Sequence, residues 1–223
     1  MRDIQAIVSF SGGQDSSTAA AWAKREFNNQ VALVTMNFEG RKETEIQQAK
    51  IVAEKLGMEH HILRIPDVLA FMKEVGKPSN EENFSSLIPI RNAIFMTYLA
   101  STAYKVGAKK IILGLSGEDL AQYPDTSEPF RQQMQTALNT GVQGEFKPIE
   151  ILAPFVNWQK WQEWQLCDEL GVLDLIVEHT HSCYREGRNQ RHEWGYGCGQ
   201  CISCELRAAS YFKYLQIKED KGK

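Results

Sequence analysis

Two kinds of hydrophobic pattern alternate along the chain. Short, nearly continuous apolar runs occur at Ile4–Phe10, Val31–Phe38, His60–Ile65 and Lys110–Leu115. Runs of this length predict strands that are buried on both faces, as in a parallel sheet. Between them lie segments with helical spacing. Ser17–Phe27 is rich in alanine; Thr44–Leu56 sets Ile46, Ala49, Val52, Ala53 and Leu56 on one side and stops at Gly57; Asn92–Val106 is apolar along one side and stops at Gly107. Thr126–Leu138 predicts one more helix, Pro66–Pro89 reads as a loop or short insertion, and Ile217–Lys223 reads as a polar, frayed tail. Strand and helix in alternation predict an α/β fold, a parallel sheet with helices on both faces.

The turn after the first strand carries the strongest chemical signal. Ser11-Gly12-Gly13-Gln14-Asp15-Ser16-Ser17 joins a strand to a helix. Two adjacent glycines let the backbone come close to an anion, and the start of the helix presents N–H groups and the positive end of its dipole. A bound nucleotide is the expectation. The spacing is neither that of a Walker A loop nor that of the Gly-x-Gly-x-x-Gly fingerprint. Ligands of parallel sheets sit beyond the carboxyl ends of the strands, so this loop and the segments after Phe38 and Leu115 should converge on one crevice.

Composition narrows the picture. With 223 residues, 43% of them hydrophobic, the chain can bury the core of one α/β domain with a small appendage. A net charge of −3 argues against bulk nucleic acid as the main ligand. No apolar run reaches membrane-spanning length and the N-terminus lacks an export-signal core, so a cytoplasmic protein is expected. Of the five cysteines, Cys183, Cys198, Cys201 and Cys204 follow the pattern Cys-x14-Cys-x2-Cys-x2-Cys. Four thiolates match a tetrahedral structural zinc site, one ion per chain, with an iron–sulfur cluster as the runner-up. His181 and His192 lie near enough to compete as ligands; Cys167 reads as a buried apolar residue, and His60 and His61 as structural. Trp158, Trp161 and Trp164 fall at helical spacing and read as core or as a subunit interface.

The Ser-Gly-Gly-x-Asp-Ser loop resembles that of the PP-loop ATP pyrophosphatases, whose fold is that of the adenine nucleotide alpha hydrolases. Together with the four cysteines, the loop resembles the 7-cyano-7-deazaguanine synthase (QueC) family. Further matches are Glu45-Ile46 with Ala49 and Ala53–Gly57, Arg91-Asn92, Gly114, Asp119, Tyr123-Pro124-Asp125, Pro154, Lys160 and Arg207. The resemblance implies an ATP-binding α/β domain over 1–175, a zinc-binding region over 176–216 packed on it and a flexible tail over 217–223. It implies ATP-dependent adenylation of the carboxylate of 7-carboxy-7-deazaguanine, attack by ammonia to give the amide, and a second activation that yields the nitrile. Ser11, Gly12, Gly13, Asp15 and Ser16 would hold the pyrophosphate portion, with Asp15 acting through Mg²⁺. Arg91 and Lys160 would neutralise phosphate charge, and Asp119, Tyr123 and Asp125 would face the substrate. A homodimer is implied as well, with the Trp158–Trp164 face as one surface for it.

Several positions depart from the family pattern. Phe38-Glu39-Gly40-Arg41-Lys42 stands for Tyr-Gly-Gln-Arg-His, Ile90 for a glycine, Thr126-Ser127 for Cys-Arg, and Gln162 for an acid. The loop between the first two cysteines is longer and carries Arg185, Arg188, Arg191, His192 and Trp194. Such a loop is compatible with gripping a protein. That keeps open a QueC-like antiviral enzyme, of the kind found in type IV CBASS operons, that joins a deazaguanine to a protein amine. A tRNA-modifying PP-loop enzyme is the further alternative, against which the acidic balance counts.

Overall fold

The structure, a computed structural model, describes residues 3–38, 41–65, 90–117, 124–142, 144, 146–185 and 188–221. Five parallel strands form the main sheet: β1 (Ala6–Ser9), β2 (Val31–Phe38), β3 (Glu59–Ile65), β4 (Lys110–Leu113) and β5 (Glu150–Leu152), in the order β3-β2-β1-β4-β5. The strand period of two divides their side chains between two cores. Val8, Val31, Leu33 and Ile112 meet helices α1 (Gln14–Glu26) and α2 (Glu43–Leu56) on one face. Ile7, Ala32, Val34, Met36 and Ile111 meet α3 (Arg91–Val106) on the other, where α4 (Glu128–Thr140) also packs. The central strands are apolar because both faces are covered. The edge strand β3 carries exposed Glu59, His61 and Arg64, charges that discourage a further strand from pairing.

The chain builds β1, β2 and β3 outward in one direction, then returns past β1 to add β4 and β5 on its other side. The connections therefore diverge between β1 and β4, and a crevice opens at their carboxyl ends. The phosphate-loop candidate leaves β1 at this point.

Helices α5 (Lys160–Glu169), α6 (Leu173–His179) and α7 (Ile202–Lys221) pack together through Trp164, Cys167, Ile176, Val177 and Tyr214. The expected boundary at residue 175 falls inside α6. A short antiparallel ribbon, β6 (Arg191–His192) with β7 (Gly195–Tyr196), stands beside the cysteines. Arg207 is buried beneath α6 and this ribbon. It donates to the carbonyls of Trp194 (2.9 Å) and Ile176 (3.0 Å) and to Thr180 Oγ1 (2.8 Å), and its guanidinium lies over the Trp164 ring.

The expectations change at three points. The flexible tail from Ile217 is instead the last turns of α7, which is helical to Lys221; Lys218 and Tyr214, one turn apart, both bond Asp168 of α5. The tryptophans, expected as core or as a subunit interface, are divided, with Trp164 in the core and Trp161 packed against it. Trp158 precedes α5 and packs on Phe155, while Trp164 is fully buried and donates to Ser210. Finally, β5 and the β6–β7 ribbon went unanticipated, since strands of three and two residues leave no readable period. Pro66–Pro89 lies outside the described residues, as do Glu39, Gly40, Asp119 and Tyr123.

Leu33 is completely buried on the α1–α2 face of β2. Leu33→Ala should lower unfolding free energy by about 3 kcal/mol, read from urea denaturation midpoints at constant slope.

Candidate functional site

The loop after β1 folds on itself. Ser11 Oγ and Ser16 Oγ are hydrogen-bonded at 2.9 Å, Gly13 N–H donates to Ser11 Oγ (3.2 Å), and Ser16 Oγ donates to the Gly13 carbonyl (3.2 Å). Helix α1 starts at Gln14, three residues before the expected Ser17, so Asp15 and Ser16 lie in its first turn, where the dipole favours negative charge. Gly12 holds φ = +80°, and a Cβ there would come 2.7 Å from the Ala49 backbone of α2. Gly114, just past β4, would place a Cβ 2.7 Å from the Ser16 backbone. The loop is thus wedged between α2 and the end of β4 at distances that only glycine allows.

Arg41 fastens the loop from the β2 side. Its guanidinium donates to the carbonyls of Met36 (2.6 Å) and Ser11 (2.8 Å), and it pairs with Glu45 (3.2 Å). Arg41 was present in the sequence only as part of a divergent motif. Its role shows in the fold because β2 and the loop end side by side.

Beside the loop lies a cavity of about 280 Å³. Ser11, Asp15, Ser16, Arg91, Gly114 and Tyr184 are among its lining residues, so the expected crevice forms and takes in most of the anticipated phosphate ligands. The guanidinium of Arg91 sits 5.9 Å from the Phe95 ring centroid. Asp125 is close by but already bonded: its Oδ2 accepts the Asn92 N–H (2.9 Å), at the start of α3. The adjoining Thr126 and Ser127 have roles in the chain as well: Thr126 is buried at the end of a 3₁₀ turn, and Ser127 caps α4 by accepting from Phe130 N–H.

Lys160 reaches the site from the start of α5 and hydrogen-bonds Asp15. Glu163, one helical turn later on the same side, is completely buried next to them. Burial opposes the Asp15 charge, but Lys160, a hydrogen bond with Glu163 and the Arg207 charge outweigh it and hold the carboxyl below its usual range. Glu163 goes the other way. Burial, then the Asp15 charge, raise it well above the ordinary carboxylate range against the pull of Lys160. Two carboxyls in one pocket with two cations are arranged to hold one proton between them. Glu163 was missed from the sequence, although its spacing from Lys160 was a usable signal. The neighbouring Gln162, which stands where the family has an acid, serves the helix instead. Its side chain accepts the Gln159 N–H (2.9 Å) and completes a capping box, which glutamine closes as well as an acid does.

The four cysteines come together as expected. Their sulfurs all lie within 4.8 Å of one another, Cys198 and Cys204 at 4.0 Å. A single tetrahedral ion with bonds of about 2.3 Å sets its sulfurs about 3.8 Å apart, so the set fits one ion. Backbone N–H groups of Gln200 and Cys201 hold the Cys198 thiol down at about 6, whereas burial pushes the Cys204 thiol up, so that it ionises only with an ion to receive it. The two histidines are placed elsewhere. His192 stacks on Trp194 at 4.4 Å, and His181 is held under the phosphate loop by its N–H to the Gly12 carbonyl (3.0 Å). Burial, with Arg188, Arg207 and Lys42 nearby, keeps the His181 ring neutral, its titration lowered to about 4.

Several residues of the long loop between the first two cysteines are engaged within the chain, while Arg185 is exposed. Arg188 donates to the carbonyls of Glu178 (2.5 Å) and Thr180 (3.2 Å) at the end of α6 and lies 4.4 Å over Tyr196; Arg191 pairs with Glu178; Trp194 is buried. Among the described residues, no helix is long and apolar enough to cross a membrane.

The raised Glu163 carboxyl has a consequence for stability. Its folded form binds the proton more tightly than its unfolded form, so the stability it contributes is complete below pH 4.5 and falls as pH rises through the raised range. Glu163→Gln, which cannot ionise, should gain stability relative to the parent as pH rises from 4 to 8, on the order of 1.4 kcal/mol for each unit of separation. Urea denaturation at a series of pH values measures this, and a constant difference would contradict it.

Comparisons with known proteins agree with this geometry. The sequence model of a family described as queuosine biosynthesis protein QueC matches residues 5–215. A 7-cyano-7-deazaguanine synthase of Helicobacter pylori (strain P12) is 37% identical over 223 residues, covering 93% of this chain and 94% of that protein. The enzyme of the same name from Bacillus subtilis (strain 168) is 34% identical over 229 residues, covering 100% of both. Two solved structures share the fold. An NH3-dependent NAD synthetase from Campylobacter jejuni has a TM-score of 0.50 at 17% identity, covering 79% of this chain and 68% of that one. A U34-tRNA thiolase from Methanococcus maripaludis, with its [4Fe-4S] cluster, has a TM-score of 0.51 at 15% identity, covering 99% and 68%. With a PP-loop wedged at the strand crossover, a four-cysteine cluster beside it and full-length relatives of this kind, the chain belongs to the QueC family.

Proposed function

We propose that this chain is an ATP-dependent ligase that converts 7-carboxy-7-deazaguanine and ammonia to 7-cyano-7-deazaguanine. The observation that carries the reading is the Asp15–Lys160 pair on a PP-loop at the strand crossover, in a chain whose full-length relatives are named as that synthase.

The chemistry accounts for the ATP. A carboxylate resists ammonia because oxide is a poor leaving group. Attack of a carboxylate oxygen on the α-phosphorus of ATP gives the acyl adenylate and pyrophosphate. Ammonia then displaces AMP and loses a proton, which leaves the amide. A second ATP activates the amide oxygen, and loss of AMP and a proton gives the nitrile. At each activation the protein has to hold the phosphates in line and offset charge on the departing pyrophosphate.

The residues suit both requirements. The Ser11–Ser16 loop and the start of α1 would cradle the pyrophosphate portion, with the positive end of the helix dipole toward it. Lys160 and Arg91 would neutralise charge from opposite sides of the loop. Mg²⁺ accompanying ATP would be held with Asp15 and would supply further charge neutralisation. The second Asp125 oxygen, Asp119 and Tyr123 are assigned to the deazaguanine. At the cysteines we assign a structural zinc ion. A four-iron cubane interposes its own iron and sulfide atoms and would hold the ligands farther apart than these sulfurs lie, and the reaction transfers no electrons.

Incubation with 7-carboxy-7-deazaguanine, ATP, Mg²⁺ and ammonium should yield AMP, pyrophosphate and the nitrile by mass spectrometry; acid left unconsumed would sink the assignment. Lys160→Met should lower kcat roughly 10²-fold or more while the four cysteines keep their metal, since it removes one charge aimed at the departing pyrophosphate.

A further inference from the structure

The segment that leads from α6 to the first cysteine runs directly beneath the phosphate loop. His181 N–H donates to the Gly12 carbonyl (3.0 Å), and the first N–H of α1, on Gln14, donates to Ser182 Oγ (3.2 Å). The approach is close: a Cβ on Gly13 would lie 3.4 Å from both the His181 carbonyl and Ser182 Oγ. Ser182 is gripped equally from the other side. Arg207 Nη1 donates to its hydroxyl (3.4 Å), and Ser203 Oγ donates to its carbonyl (2.6 Å). Ser203 stands on α7 between Cys201 and Cys204, and Cys183 is the residue next to Ser182. Tyr184 then continues the segment into the lining of the cavity, with Lys42 donating to its carbonyl (2.6 Å).

Both flanks of Ser182 are thus defined by metal-ligand candidates, one along its own backbone and one through Ser203. Its hydroxyl meets the phosphate loop. We propose that Ser182 is a positioning residue through which the ion at the four cysteines sets the phosphate loop, so that metal and ATP strengthen each other's binding. The inference rests on the reading of the loop as the ATP site. An ion shared by Cys183, Cys201 and Cys204 fixes Ser182 where Gln14 N–H needs an acceptor. The loop then meets ATP already in its binding shape, and binding does not have to order it. Without the ion the segment is freer, and ATP must supply that order. Linkage makes the effect reciprocal and equal in both directions.

The test uses an ATP analogue with a non-hydrolysable α,β-bridge and isothermal titration calorimetry. Metal-loaded parent, parent stripped with a chelator, Ser182→Ala and Ser182→Thr are compared, with metal content and thermal melting recorded for each. We expect stripping to weaken the analogue about 5-fold or more, the lower range of ordinary coupling. Ser182→Ala should keep its metal and melting temperature, bind the analogue more weakly when loaded, and lose little more on stripping. Ser182→Thr, which keeps the hydroxyl, should bind as the parent does. A second arm needs only loaded protein: the analogue should slow metal loss to a chromogenic chelator in the parent and not in Ser182→Ala. Equal metal loss with and without analogue in the parent overturns the proposal, as does the same stripping effect in Ser182→Ala as in the parent. Analogue binding that ignores the metal overturns this proposal alone, whereas no binding to the loaded parent overturns the ATP reading with it.

Discussion

The site depends on a steric constraint at the start of α1. The chain leaving β1 must turn into the helix in a space bounded by the Ala49 backbone of α2 on one side and the end of β4 on the other. Gly12 and Gly114 supply the clearance. Because the turn is forced there, the start of α1 stands at the crevice where the sheet reverses its build order. Arg41 then fixes the Ser11 carbonyl to the end of β2.

Charge is arranged around this turn in a buried group. Asp15 and Glu163 face Lys160, with the Arg207 guanidinium near enough to influence Asp15. Arg207 is completely enclosed, and its N–H groups go to the carbonyls and hydroxyls of the segments it joins. A buried cation of this kind is tolerated because it is so fully hydrogen-bonded. It also ties the three C-terminal helices and the cysteine loop to one another. The division into two regions that composition suggested is therefore less sharp in space than along the chain.

The departures from the family pattern look different once placed. Gln162 closes a helix cap, Ser127 caps α4, Arg188 and Arg191 bind the end of α6, and Trp194 is stacked and buried. Each has a local structural role.

Much of this protein was legible from residue order. Short apolar runs located the four longest strands, since both faces of a central parallel strand must be apolar. Small residues after the first strand marked the phosphate loop, and the cysteine spacing marked the metal site, because both rest on contacts within a few residues. The long helix to Lys221 was not legible: its polar end is held by Asp168, some fifty residues away in sequence. Nor were the roles of Glu163, Arg41, Ser182 and Arg207. Each acts through partners brought from another element, and a single sequence does not state which elements meet. Local chemistry is written in the order of residues, whereas the electrostatics of a buried pocket depend on distances that only the packed chain sets.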